Sequence, residues 1–272
     1  MKLTTLAIFC LLLLSCSSKQ HKNSLANEKI KGNVKSVVEY SYTVYDDTIN
    51  RLDYKSRHSY DKNGNEFETI NYNSDGNLNW KTLTFYNKEG AMIEEDYYKP
   101  DGLRDKFIYH YDANEYSIGF DDYFGDSLNK ISKTVDKNDV KGHLLESDHY
   151  NYNGTLAFTT TYKYDAQGNQ IEMKMFQKGN QYNFTSKSKY DSQNNETESE
   201  KFNEHESLMD KTLYKYDSAG VLIEIRTFDN SGHLANSTKY KYEYDATGNW
   251  LLTTAFINDV RSNIIRREIV YY

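Results

Sequence analysis

Polar and apolar positions alternate along most of this chain. After Val34, the residues Val38, Tyr40, Tyr42 and Val44 share one face and Glu39, Ser41 and Thr43 the other, which predicts a half-buried strand. Leu156, Phe158, Thr160, Tyr162 and Tyr164 line up in the same way, as do Leu234, Asn236, Thr238, Tyr240, Tyr242 and Tyr244. Thr159, Thr161 and Lys163, or Ser237, Lys239, Lys241 and Glu243, take the opposite face. One face buried and one wet is the habit of antiparallel sheets.

These strands run into tight turns of one kind. Tyr244-Asp245-Ala246-Thr247-Gly248-Asn249 has relatives at Tyr60, Tyr86, Tyr111, Tyr164, Tyr190 and Tyr216, with Val135 as a decayed copy inside an insertion between Asp126 and Lys141. The steps between markers are 26, 25, 24, 29, 26, 26 and 28 residues. A period near 26 residues is the mark of a repeat array. Twelve residues after these tyrosines stand Tyr72, Tyr98, Tyr123, Phe176, Phe202, Phe228 and Phe256. In each turn the leading Asp can accept bonds from the backbone ahead, and the closing Gly takes a positive φ. Asn194 replaces that Gly in one copy, Pro100 opens a related turn, and the copy at Tyr111 lacks its glycine.

Two registers fit the outgoing strand. In a plain four-residue loop Tyr214 faces Ile223, Thr212 faces Ile225, and Glu224 and Arg226 point to solvent. A type I turn with a bulge after the glycine shifts every pair by one and places Glu224 on the tyrosine face. The first is preferred, because burying a row of carboxylates costs more than an unusual turn. It leaves the closing aromatics as a stripe on the wet face.

Hydrophobic residues make up 38% of the 272 positions and aromatics 15%, with 26 tyrosines. That balance suits half-buried pleated surfaces and argues against disorder. A net charge of -7 with both signs interspersed gives no reason to expect nucleic acid as a partner.

The first fifteen residues read as a signal peptide: Lys2, an apolar run from Leu3 to Leu14, then Ser15. Leu13-Leu14-Ser15-Cys16 resembles the lipobox of bacterial lipoproteins, which implies acylation of Cys16 and attachment to a membrane. Residues 16–33 then form the lipidated N-terminus and a flexible tether, and residues 34–272 a single β-repeat domain. Ser17 and Ser18 fit an outer-membrane address, on the periplasmic side. Cys10 would leave with the signal peptide, so thiol catalysis and cysteine metal sites drop out.

From Tyr60 to Tyr272 the chain resembles the Tyr-Asp (YD) repeats of RHS-repeat proteins, specifically short RHS-like lipoproteins of two-membraned bacteria. The likeness rests on Tyr-x-Tyr-Asp-x-x-Gly-Asn at Tyr242 to Asn249 and Tyr162 to Asn169, on Gly248-Asn249-Trp250, and on the ending Glu268-Ile269-Val270-Tyr271-Tyr272. It implies an all-β fold: a curled antiparallel sheet of roughly 16–18 strands built from hairpin repeats.

Sites of chemistry are sparse. No two of the seven histidines have the spacing of a helical zinc pair; His143 and His149, near Glu146 and Asp148, come nearest to a metal set. Asp61 to Glu66 departs from a calcium loop in its glycine position. Glu94-Glu95 and Glu196, Glu198 and Glu200 read as solvated strand faces rather than glycosidase acids. A membrane-spanning barrel is set aside because Arg266 and Glu268 fall where lipid would be. Trp80, Trp250, Phe176, Phe202, Phe228 and Phe256 are candidates for stacking on sugar rings. The expectation is a non-catalytic scaffold or binding protein without cofactor or metal, its partner a protein or glycan. Alternatives are a carbohydrate or envelope-polymer binding protein, even a carbohydrate-active one, and an immunity partner of a toxin.

Overall fold

The computed structural model describes residues 23–45, 50–125, 129–177 and 181–272, the side chains of residues 181–182 excepted. Cys16 and the signal peptide lie outside the described residues. The strands are β1 (Val34–Val44), β2 (Asn50–Tyr60), β3 (Glu66–Asn73), β4 (Leu78–Tyr86), β5 (Met92–Lys99), β6 (Gly102–Tyr111), β7 (Ser117–Phe124), β8 (Asn129–Asn138) and β9 (Leu144–Asn151). They continue as β10 (Leu156–Tyr164), β11 (Gln170–Gln177), β12 (Gln181–Tyr190), β13 (Glu196–Asn203), β14 (Leu208–Tyr216), β15 (Leu222–Asp229), β16 (Leu234–Tyr244), β17 (Trp250–Ile257) and β18 (Val260–Tyr271). Each pairs antiparallel with its neighbours in sequence, and β18 pairs with β1 from Val34 opposite Tyr271 to Thr43 opposite Asn263. The sheet is therefore a closed 18-stranded barrel, not the open curl expected. Closure removes the two edges whose unpaired N–H and C=O groups an open array would expose.

The turn chemistry explains the sequence pattern. After β14, Gly220 N–H donates to Asp217 O at 3.1 Å and Asp217 N–H to Val221 O at 2.9 Å. Asp217 Oδ1 accepts from the N–H groups of Ala219 and Val221, both at 2.9 Å, and Gly220 has φ 75°. The same backbone bonds occur at Asp61, Asp112, Asp165, Asp191 and Asp245. At Tyr111 the missing glycine changes nothing: Glu115 takes φ 66°, as Asn194 takes 63°. Gly168, at φ 88°, would bring a new Cβ to 3.2 Å from His143 Nε2. Gly168→Val should cost about 1–2 kcal/mol in a denaturant titration.

Two expectations need correction here. The turn after β8 is Asp139 to His143, so Val135 is a mid-strand residue paired with Asp148, and residues 129–138 of the expected insertion are the strand β8 itself. Asn138 holds the place of the tyrosine, and Tyr150 stands twelve residues on. Neither expected register is present. Tyr216 pairs with Leu222 and Lys215 with Glu224, which leaves Ile223 as a bulge, and Tyr214 faces Ile225. The type I turn with its left-handed glycine shifts the pairing by one. The bulge at Ile223 shifts it again, and Glu224 returns to the lysine face beside Lys215. A second small irregularity thus avoids carboxylates on the tyrosine face.

The two faces of the wall differ. Burial pushes the hydroxyls of Tyr86, Tyr164, Tyr190, Tyr214 and Tyr242 up to about 12. These tyrosines are half-buried among the side chains of neighbouring strands, and their face is the concave wall. The other face carries ion pairs: Lys106 with Asp96 at 2.7 Å, Lys163 with Glu172 at 2.8 Å, Lys189 and Lys211 with Glu198 at 2.7 Å each. Arg266 and Glu268 join this convex face, where a membrane-spanning wall would be apolar. On β1 it is Val37, 1% exposed, that packs inward, while Val38, Tyr40 and Tyr42 are convex.

Part of the stretch expected as tether packs on the barrel. Ser24–Asn27 is a single helical turn capped by Asn23, whose side chain accepts from Ala26 N–H. Leu25 and Ile30 join Val34, Val37 and Tyr60 in the main buried cluster, with Ile269 against it. This strap crosses the barrel end that holds the Tyr-Asp turns: Leu25 N–H donates to Gly64 O at 3.1 Å, and Lys31 N–H to Asn249 Oδ1 at 2.8 Å.

Candidate functional site

The strap and the concave wall together line a half-open cavity of about 240 Å³ at the Tyr-Asp rim, with Glu28, Glu66, Trp80, Tyr86 and Glu95 among its lining residues. Alternation along β3 to β5 brings these residues together. Glu66 opens β3, Trp80 and Tyr86 lie on one face of β4, and Glu95 is opposite Thr84.

The polar groups of this mouth bind one another. His58 Nδ1 lies 2.8 Å from Glu66 Oε1, and Ser56 Oγ lies 3.2 Å from His58 Nε2. Burial works against charge on His58, but the bond to Glu66 and its charge outweigh it and favour the imidazolium. The Glu66 backbone N–H donates to Ser24 Oγ at 2.9 Å, and Tyr86 OH donates to Glu66 O at 2.7 Å. Tyr60 OH donates to both Glu28 oxygens at 3.4 Å. Glu28 reaches open water on one side, yet protein surrounds it elsewhere and Glu66 is near, so its carboxyl is pushed up to about 7. Burial also raises Glu95.

A carboxyl whose value rises on folding favours the folded state while protonated. The contribution of Glu28 is full below its ordinary value of 4.5 and is lost as pH climbs through about 7. In thermal melts across that window, Glu28→Gln should gain on the native chain as pH rises; a constant difference would contradict this.

The tyrosines have a role that sequence reasoning missed. Tyr111 OH donates to Met92 O at 2.7 Å, and Tyr164, Tyr190 and Tyr242 donate to Leu144 O, Gln170 O and Leu222 O at 2.9 Å each. Each hydroxyl bonds the first carbonyl of an outgoing strand in the preceding hairpin. That carbonyl sits beside a bulge, where the sheet ladder is interrupted. The signal was the use of tyrosine where phenylalanine would pack as well.

The candidate stacking residues divide between the two faces. Trp80 is concave, in the cavity, tilted against Tyr97 with centroids 6.0 Å apart. Trp250 is concave but covered: the Arg267 guanidinium lies 3.5 Å from its ring centroid and is held by Glu39 at 2.6 Å. Phe202 pairs with Leu208, Phe228 with Leu234, Phe176 with Tyr182 and Phe256 with Arg261 at the opposite rim, on the convex face. Lys187 covers Phe202 at 4.9 Å and Lys241 covers Phe256 at 5.1 Å. His143 stacks on Tyr164 and bonds Asp139, while His149 stacks on Phe158. Among the described residues no group of three His, Cys, Asp or Glu side chains is placed to hold a metal.

No protein-family model and no curated protein matches the chain. The solved structures it resembles include a porin-like protein from Bacteroides uniformis, 10% identical over 87% of this chain and 98% of that one, with a TM-score of 0.47. A porin-like protein from Bacteroides vulgatus is 11% identical over 89% and 99% of the two chains, with a TM-score of 0.40. The TcdB2-TccC3 structure is 11% identical over 88% of this chain and 17% of that one, with a TM-score of 0.30.

Proposed function

We propose that this protein is a non-catalytic, lipid-anchored barrel of the bacterial cell envelope, built from YD-type hairpins and acting as a scaffold or binding protein at the outer membrane. The observation that carries this reading is the strap. It fixes the chain to the Tyr-Asp rim at Asn23, which stands seven positions after Cys16 and donates from its side-chain amide to Asn63 O, so an acylated Cys16 would hold the barrel by that end. The lipobox-like Leu13 to Cys16 and the charged convex face support a barrel attached to a membrane rather than spanning it. The mouth supports binding over catalysis, since His58, Glu66, Ser24 and Tyr86 are spent on one another. The test is Cys16→Ser: the protein should move from the membrane to the soluble fraction, and continued membrane association would contradict the anchor.

A second reading is favoured by Trp80. Its ring stands in a cavity whose lining includes the Glu95 carboxyl, a plane next to a hydrogen-bonding group that suits a sugar. On a glycan array, binding abolished by Trp80→Ala but kept by Trp250→Ala would support a carbohydrate-binding role. An array without binding would favour the scaffold.

A further inference from the structure

Around the outside of the Tyr-Asp rim runs a row of apolar side chains. The second residue of each outgoing strand is a bulge, as the pairs Ser59–Glu68 and Tyr60–Glu66 show at Phe67. Ile93, Ile118, Leu145 and Ile171 are skipped in the same way. Two successive residues then oppose one on the partner strand, so the bulged side chain joins the next residue on the convex face, a glutamate after Phe67, Ile93, Leu145 and Ile171 and Gly119 after Ile118. Phe85, just before a tyrosine, stands beside them. Phe67, Phe85, Ile93, Ile118, Leu145 and Ile171 are 36–43% exposed, although each is apolar. A turn with a left-handed glycine does not require an aliphatic residue at that bulge; Thr197 fills the same place on β13.

The entry point of the chain identifies what covers this row. Asn23 binds the turn between β2 and β3 through Asn63 O, and Phe67 lies in the same hairpin. Asn23 stands seven positions after Cys16, with six residues between them. This stretch spans at most about 25 Å when fully extended. We infer that Phe67, Phe85, Ile93, Ile118, Leu145 and Ile171 form a collar that rests in the surface of the bilayer carrying the Cys16 lipid, with the barrel mouth turned to the membrane. This rests on Cys16 being acylated. Acyl chains and exposed apolar side chains at one end act together, since each buries hydrocarbon at the same interface.

The full acylated chain tests this in phosphatidylethanolamine–phosphatidylglycerol vesicles, with an environment-sensitive fluorophore on Phe85→Cys, on Ile93→Cys, or on Met209→Cys at the opposite rim. The labels at 85 and 93 should shift to the blue and be quenched by bromine-labelled lipid, and the label at 209 should do neither. Vesicle-bound protein whose labels at 85 and 93 respond no more than that at 209 would overturn the collar and leave the anchor standing. Failure to sediment with vesicles, with no acyl label on Cys16, would overturn both.

Discussion

Val37→Asp is expected to unfold the barrel or lower its melting point by about 10 °C or more. Val37 is 1% exposed and packs with Leu25, Ile30, Val34 and Tyr60, where strap, β1, β2 and β18 meet. The new carboxylate would stand opposite His58, whose ring is already held by Glu66, with the neighbouring Arg267 already held by Glu39, so it would have no cation of its own. An unpaired buried charge costs about 3–5 kcal/mol, and for a chain of this size each kcal/mol is worth about 2–4 °C. Val37→Ala removes volume without adding charge and should cost less, about 1–3 kcal/mol. Two melting curves that coincide would mean that this cluster does not hold the seam.

Gly119→Ala should be nearly as damaging, although it adds one methyl group. Gly119 lies inside β7 at φ 119°, and a Cβ there would stand 2.0 Å from Thr134 O and 2.7 Å from Thr134 C on the adjacent strand. Both atoms are backbone, so β8 itself has to move. Strain and overpacking together should cost about 3 kcal/mol or more, read as a fall of at least about 6 °C in melting temperature. Gly76→Ala is the control: its φ is also positive, but a Cβ there meets nothing within 4 Å. If Gly76→Ala destabilises as much, the contact with Thr134 is not what matters.

How much of this was legible depends on the range of the interaction. Asp217 and Gly220 bond within five residues, so the turns were readable from the chain, down to Asn194 at its left-handed position. The faces of the incoming strands followed, because Tyr162 and Tyr164 keep strict alternation. The outgoing strands did not, because one bulge at Ile223 or Ile171 leaves no local mark beyond an aliphatic residue in a sequence full of them. The copy at Asn138 has no tyrosine to mark it, and Asp139 and Gly142 alone carry its turn.

Longer-range features were harder still. Closure joins Val38 to Glu268, residues whose local sequences say nothing of each other. The polar run from Ser17 to Glu28 suggests a tether, yet Leu25 and Ile30 are the two apolar signals of the strap. In the mouth, Trp80 is legible as one of only two tryptophans in the chain. Its neighbours Glu28, Glu66 and Glu95 come from three separate segments that only the closed sheet and the strap assemble. Gly119 had a signal of its own, a glycine inside a strand, where close backbone approach is a common reason.

The most direct test of the closed barrel is a crosslink between β1 and β18. Val38 and Glu268 are directly opposite on the convex face, and such pairs have Cβ atoms about 4.5–5.5 Å apart. Val38→Cys with Glu268→Cys should form an intramolecular disulfide under mild oxidation of the native protein and none in denaturant. Lys189→Cys with Glu198→Cys, opposite each other within one hairpin, should crosslink in any antiparallel array. Both pairs crosslinking is the result the closed barrel predicts. The hairpin pair alone crosslinking would mean that the sheet is open.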